Sequence, residues 1–155
     1  MQIDIQTLKS GEQKPFPQPL GFGCCFADRM FSQRYAPDKG WHDARIGPYE
    51  PFVMDPASAV FHYGQEIFEG LKAYRRPDGK INLFRPWENA ARFNRSAHRM
   101  AMAELDPEDH VEAIAALVSV VHESVPSQPD SSLYIRPTLI ATEVGLGVHA
   151  SKSYL

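Results

Sequence analysis

The sequence predicts an α+β domain in which an antiparallel sheet packs against two helices. Three observations carry that expectation. Leu71–Arg75 and Ile81–Arg85 alternate apolar with polar residues around Pro77-Asp78-Gly79, the pattern of a β-hairpin. Behind Pro86, Ala90, Phe93, Ala97 and Met100 recur at helical spacing, and behind Asp106-Pro107 so do Val111, Ile114, Leu117, Val118 and Val121. Ser131–Thr142 alternates once more, as a final strand.

Residues 1–19 contain Gly11, Pro15, Pro17 and Pro19, which favour an extended, flexible lead-in over a helix and leave 20–155 as the domain. Leu20–Tyr35 reads as a strand of period two through Phe22, Cys24, Phe26 and Met30. Ala36-Pro37-Asp38-Lys39-Gly40 is a turn by composition, and Trp41–Met54 supplies returning strands punctuated by Gly47-Pro48, so the opening is a β-meander. Asp55-Pro56-Ala57-Ser58 interrupts the sheet, and His62-Tyr63-Gly64 forms a compact turn before the hairpin. On the first helix Arg92, Arg95 and Arg99 share a face apart from the apolar one, as a solvated basic face does. The second helix is capped by Asp106, starts on Pro107, carries Glu108 and Asp109 at its positive end, and stops before Pro126 and Pro129. In the last strand Leu133, Ile135, Pro137, Leu139 and Ala141 point one way. Tyr134, Arg136, Thr138, Ile140 and Thr142 point the other, onto a face that either meets water or lines a polar cleft. Gly145-Leu146-Gly147 completes no GxGxxG pattern and reads as a plain turn.

Composition limits the function classes. With 43% hydrophobic and 23% charged residues the balance is that of an ordinary globular domain, and a formal charge of −3 argues against a general nucleic-acid binder. The N-terminus has no basic region followed by an apolar core, and the most apolar run, Ala113–Val121, is too short for a bilayer. A cytoplasmic protein without membrane or nucleic-acid partners is expected. Cys24 and Cys25 are neighbours whose side chains would leave a strand on opposite faces, so two reduced, partly buried thiols are expected and no metal site. The six histidines show no zinc-ligand spacing, and no nucleophile elbow or phosphate-loop motif is present. Three features suit an anionic small molecule: Arg92 near a helix start, the Tyr134/Arg136 face, and Tyr63 in its Gly-flanked turn.

HYGQEIFEGLKAYR, DGKINLFRPWENAARFNRSAHRM and SLYIRPTLIATEVGLGV, in that order, closely resemble the N-terminal half of the branched-chain amino-acid aminotransferases, pyridoxal-phosphate enzymes of fold type IV. The resemblance runs from about Leu20 to Leu155. It implies amino transfer between leucine, isoleucine or valine and 2-oxoglutarate or glutamate, with pyridoxal 5'-phosphate as cofactor and a homodimer as partner. By the same resemblance Arg92 grips the cofactor phosphate; Tyr134 meets the substrate α-carboxylate, and Arg136 the side-chain carboxylate of glutamate. Phe22 and Phe68 match aromatic walls of the pocket, with core packing as the alternative. Tyr63, Leu146 and Val148 match residues that reach the neighbouring subunit's site. The family's Schiff-base lysine lies in a C-terminal domain beyond Leu155, and Lys9, Lys14, Lys39, Lys72, Lys80 and Lys152 do not match it. The chain is therefore expected not to transaminate by itself. The alternatives are a D-amino-acid transaminase, an aminodeoxychorismate lyase, or a non-enzymatic dimerisation or ligand-binding domain.

Overall fold

The structure, a computed structural model, describes residues 1–6 and 20–155. The proline-rich part of the expected lead-in, residues 7–19, lies outside the described residues. Asp4–Ile5 (β1) instead pairs with a strand of the domain, and the Met1 amino group meets Asp109 at 3.2 Å and Glu112 at 2.9 Å.

Arg29–Ala36 (β2) and Gly40–Pro48 (β3) form the first antiparallel hairpin, closed by the Lys39 N–H donating to the Ala36 carbonyl. β1 joins β3 in parallel, a pairing that the alternation does not foretell. The strand expected from Leu20 begins only at Arg29. Gly23 at φ 72° breaks extended backbone before it, and Phe22 and Phe26 are exposed rather than core-facing. Cys24 and Cys25 thus lie in irregular chain; Cys24 is exposed and Cys25 half-buried. The strands expected over Trp41–Met54 reduce to β3, which ends at Pro48, with the Tyr49 N–H donating once more to the Asp28 carbonyl.

The expected turn at His62-Tyr63-Gly64 closes a five-residue helix, Ala59–Tyr63 (α1), with Gly64 at φ 59° as its left-handed cap. Glu66–Phe68 (β4) and Leu71–Arg75 (β5) follow. β5 turns through Gly79, at φ 81°, into Ile81–Leu83 (β6), forming the anticipated hairpin. The final alternating run is two strands, Leu133–Ile135 (β7) and Thr138–Ile140 (β8). β7 pairs with β5, and β8 with β4. Between them Pro137 has no N–H for a ladder, and its carbonyl accepts the Glu69 N–H across the matching break at Glu69-Gly70. Among the described residues the architecture is α+β, with three small sheets where one was expected.

Pro86–Arg99 (α2) buries Ala90, Phe93 and Ala97, while Met100 lies just past its end and is exposed. Pro107–Val120 (α3) is capped as its sequence requires, the Asp106 carboxylate accepting the Glu108 N–H at 2.8 Å. Ile67, Leu139 and Ala141 pack with Phe93 and Ala97 of α2. Leu71, Ala73 and Ile135 pack with Ile114 and Val118 of α3. α2 therefore backs the β4–β8 pair and α3 the β5–β6–β7 sheet, leaving Phe68, Lys72, Tyr74 and Arg136 exposed. The chain end is tied in by Tyr154, whose backbone bridges Tyr35 and Ala141 and whose buried phenol donates to the Ser151 carbonyl.

Candidate functional site: an arginine cleft beside a tyrosine–arginine clamp

Strand alternation from Ile67 to Ala73 turns Ile67, Glu69, Leu71 and Ala73 inward, so a carboxylate occupies a register position that belongs to apolar residues. Glu69 is 5% exposed, and Arg92 on the second turn of α2 reaches it with two bonds, Nε to Oε1 at 2.5 Å and Nη2 to Oε2 at 2.7 Å. Asn89, one turn earlier, donates to Glu69 Oε2 at 3.0 Å and to the Gly70 carbonyl at 3.2 Å. Burial by itself would raise the Glu69 pKa, but the bonds from Arg92, Asn89 and the Gly70 N–H outweigh it and hold the carboxyl below its ordinary value. The Glu69 hydrogen bond in turn raises the Arg92 pKa.

On the outer face Tyr134 of β7 stands opposite Lys72 of β5, and its ring crosses Gly70. A Cβ at residue 70 would collide with the phenol, so the close approach requires glycine. The Tyr134 hydroxyl accepts from Arg136 Nη2 at 3.0 Å and Nε at 3.3 Å. The Arg136 guanidinium carbon lies 4.3 Å from the centre of the Phe68 ring, and Phe22 meets Tyr134 edge-on at 5.3 Å. Four of the expected residues, Phe22, Phe68, Tyr134 and Arg136, are thus gathered into one cluster. Tyr134 also shares with Arg92 the wall of an open cleft of about 420 Å³, whose lining includes Lys72, Arg85, Asn89 and Arg95. Arg92 does not sit at the helix start, so the cationic character of the cleft comes from these neighbouring side chains rather than from helix amides.

Tyr63, Leu146 and Val148 form a separate group. The Tyr63 hydroxyl donates to the Leu146 carbonyl at 2.5 Å, Val148 is 88% exposed, and none of the three lines the cleft. Residues 145–147, expected as a turn, are irregular chain with Gly145 at φ 153°. Among the described residues no group of three or more His, Cys, Asp or Glu could hold a metal ion, and no helix is long and apolar enough to cross a membrane. Sequence reasoning overlooked Glu69, Gly70 and Asn89. The signal for the first was available: a carboxylate at an inward register needs a buried partner, and Arg92 stands on the facing helix.

The chain is 54% identical over 143 residues, 92% of its length, to branched-chain-amino-acid transaminase 1 of Bacillus subtilis (strain 168). It is 47% identical over 152 residues to branched-chain-amino-acid aminotransferase 2 of the same organism. The chain spans 40% and 42% of the length of these two relatives. Among solved structures it is similar, at 26% identity and a TM-score of 0.59, to the T.th. branched-chain amino acid aminotransferase complexed with N-(5'-phosphopyridoxyl)-L-glutamate. That match covers 80% of this chain and 39% of the other. No family model matches the chain.

Proposed function

We propose that this chain, a relative of the branched-chain-amino-acid aminotransferases, carries the N-terminal share of such an enzyme's active site. The complete enzyme exchanges an amino group between leucine, isoleucine or valine and 2-oxoglutarate. The observation that carries this reading is the Tyr134–Arg136 pair. A phenol and a guanidinium are hydrogen-bonded to each other and flanked by Phe22 and Phe68, beside the cleft that Arg92 lines. Two polar groups for carboxylates, set among aromatic walls, suit substrates that share an α-carboxylate and differ in an apolar or an acidic side chain.

The cleft fits a phosphate group: the Arg92 side chain is more than half exposed, and Lys72 and Arg95 add positive charge around it, while Arg85 is paired with Glu88, which also lines the cleft. Pyridoxal phosphate, when bound, supplies the electron sink that makes amino exchange possible. This chain's residues bind and orient: Arg92 receives the phosphate, Tyr134 the α-carboxylate, and Arg136 the second carboxylate of glutamate. Phe22 and Phe68 supply aromatic walls for the apolar side chain. Tyr63, Leu146 and Val148, exposed and apart from the cleft, serve the site of a second subunit in a cytoplasmic homodimer.

The test uses the whole enzyme and the variant Arg136→Ala. The kcat/KM for glutamate should fall more than that for leucine, since only glutamate has a second carboxylate to pair. Equal losses would show that Arg136 merely supports Tyr134, to which it is bonded, and would remove the clamp from the proposal.

A further inference from the structure

Glu69 is buried, charged and has no part in the chemistry just described. Its two oxygens take the Nε and Nη2 edge of Arg92 in a two-point grip, while the Arg92 side chain is 58% exposed toward the cleft. Among the described residues the Nη1 group of Arg92 makes no hydrogen bond within the protein. A guanidinium is a rigid plane, so fixing one edge fixes the direction of the others. The grip is itself braced, because Asn89 donates both to Glu69 and to the Gly70 carbonyl, and the Gly70 N–H donates back to Glu69.

Charge alone gives no reason for this carboxylate. A negative group beside an anion-binding arginine opposes the anion, and a buried ion pair is weak evidence for stability. Geometry gives one. We propose that Glu69, braced by Asn89, is the positioning residue of Arg92, locking its guanidinium so that the unused N–H groups point at the phosphate subsite of the cleft. The assignment rests on the reading of Arg92 as the phosphate contact. On this assignment lysine cannot take the place of Arg92, because an ammonium has no second edge to be held while it serves an anion.

The test measures dissociation constants of pyridoxal phosphate and of pyridoxal, which lacks the phosphate, for the full-length enzyme containing this chain. Glu69→Gln keeps the shape and removes the charge. It should weaken pyridoxal phosphate roughly tenfold, the scale of one charge-assisted hydrogen bond, and change pyridoxal less than about twofold. Asn89→Ala leaves both charges in place and should lower the same preference by a smaller factor. It provides the same measurement if Glu69→Gln does not fold. Equal weakening of both ligands would mean that Glu69 only supports the fold, and would overturn the proposal. So would an unchanged or increased preference for pyridoxal phosphate in Glu69→Gln when Arg92→Ala loses it. If Arg92→Ala keeps the preference, Arg92 does not hold the phosphate, and the proposal falls with the reading beneath it.

Discussion

Gly70 carries the tightest constraint in the site. It joins the buried Glu69 to the Leu71–Arg75 strand and lies under the Tyr134 ring. Gly70→Ala should cost about 1–3 kcal/mol through overpacking, and should lower kcat/KM for leucine and glutamate alike because both need Tyr134 in place. Thermal melts and steady-state kinetics of the whole enzyme check this; an unaltered Tm with full activity would show that the ring moves freely. His110 makes a second prediction. It is 4% exposed, meets Phe93 edge-on at 4.8 Å, and its Nδ1 is buried without a partner among the described residues. Burial pulls its pKa from 6.5 down to about 4, against a smaller upward pull from Glu69. Between those values the unfolded chain binds the proton and the folded one does not. Stability is therefore full above 6.5 and falls as the pH drops toward 4, by about 3 kcal/mol at most. Glu69, whose pKa is lowered, adds a loss of the same sign at lower pH. Urea midpoints at about pH 7.5 and about pH 5 should differ accordingly, and His110→Leu should flatten the difference.

At the level of elements the helices and the strands behave differently. The bounds of α3 are legible in the sequence, since cap, first-position proline and acidic first turn agree within one stretch, but its buried face is His110, Ala113, Ile114 and Val118, with Val111 and Leu117 of the expected stripe only half-buried. Asp106→Ala removes the capping acceptor and should lower stability by about 1 kcal/mol, seen as a lower Tm with unchanged kinetics. A larger loss, or altered substrate constants, would mean that Asp106 does more than cap. The strands are legible in direction but not in partnership. Alternation over Ser131–Thr142 correctly sorts Ile135, Leu139 and Ala141 inward, yet it cannot show that Pro137 divides the run between two sheets. In the opening segment the aromatic spacing suggests a strand from Leu20. The positive φ at Gly23 rules out that continuity and frees Phe22 to reach Tyr134.

At the scale of the molecule, the two cores cover only the inner sheet faces. Phe61, Phe84, Trp87, Leu146 and Val148 remain more than half exposed, apolar area left in water by the chain alone. The 155-residue chain produced alone should therefore associate as its concentration rises, read by sedimentation velocity. A monodisperse monomer at high concentration would show that this surface needs no cover. Reduction with borohydride after incubation with pyridoxal phosphate should give no stoichiometric label at any single lysine of this chain. One specific labelled lysine would contradict the matching of its lysines to the relatives.

The residues that resemble a known enzyme, the α+β class, the hairpin and the two helices are properties of local sequence, because periodicity, caps and turn residues act over a few neighbours. The roles of Arg92, Tyr134 and Arg136 come from that resemblance rather than from their spacing. Only the tertiary structure brings Phe22, Phe68, Tyr134 and Arg136 together and sets Arg92 on Glu69, 23 positions away along the chain. A buried charge cannot declare its partner in one dimension. Which cation satisfies it depends on the helix that packs above the strand, and that packing is fixed by the apolar residues on either side of the pair.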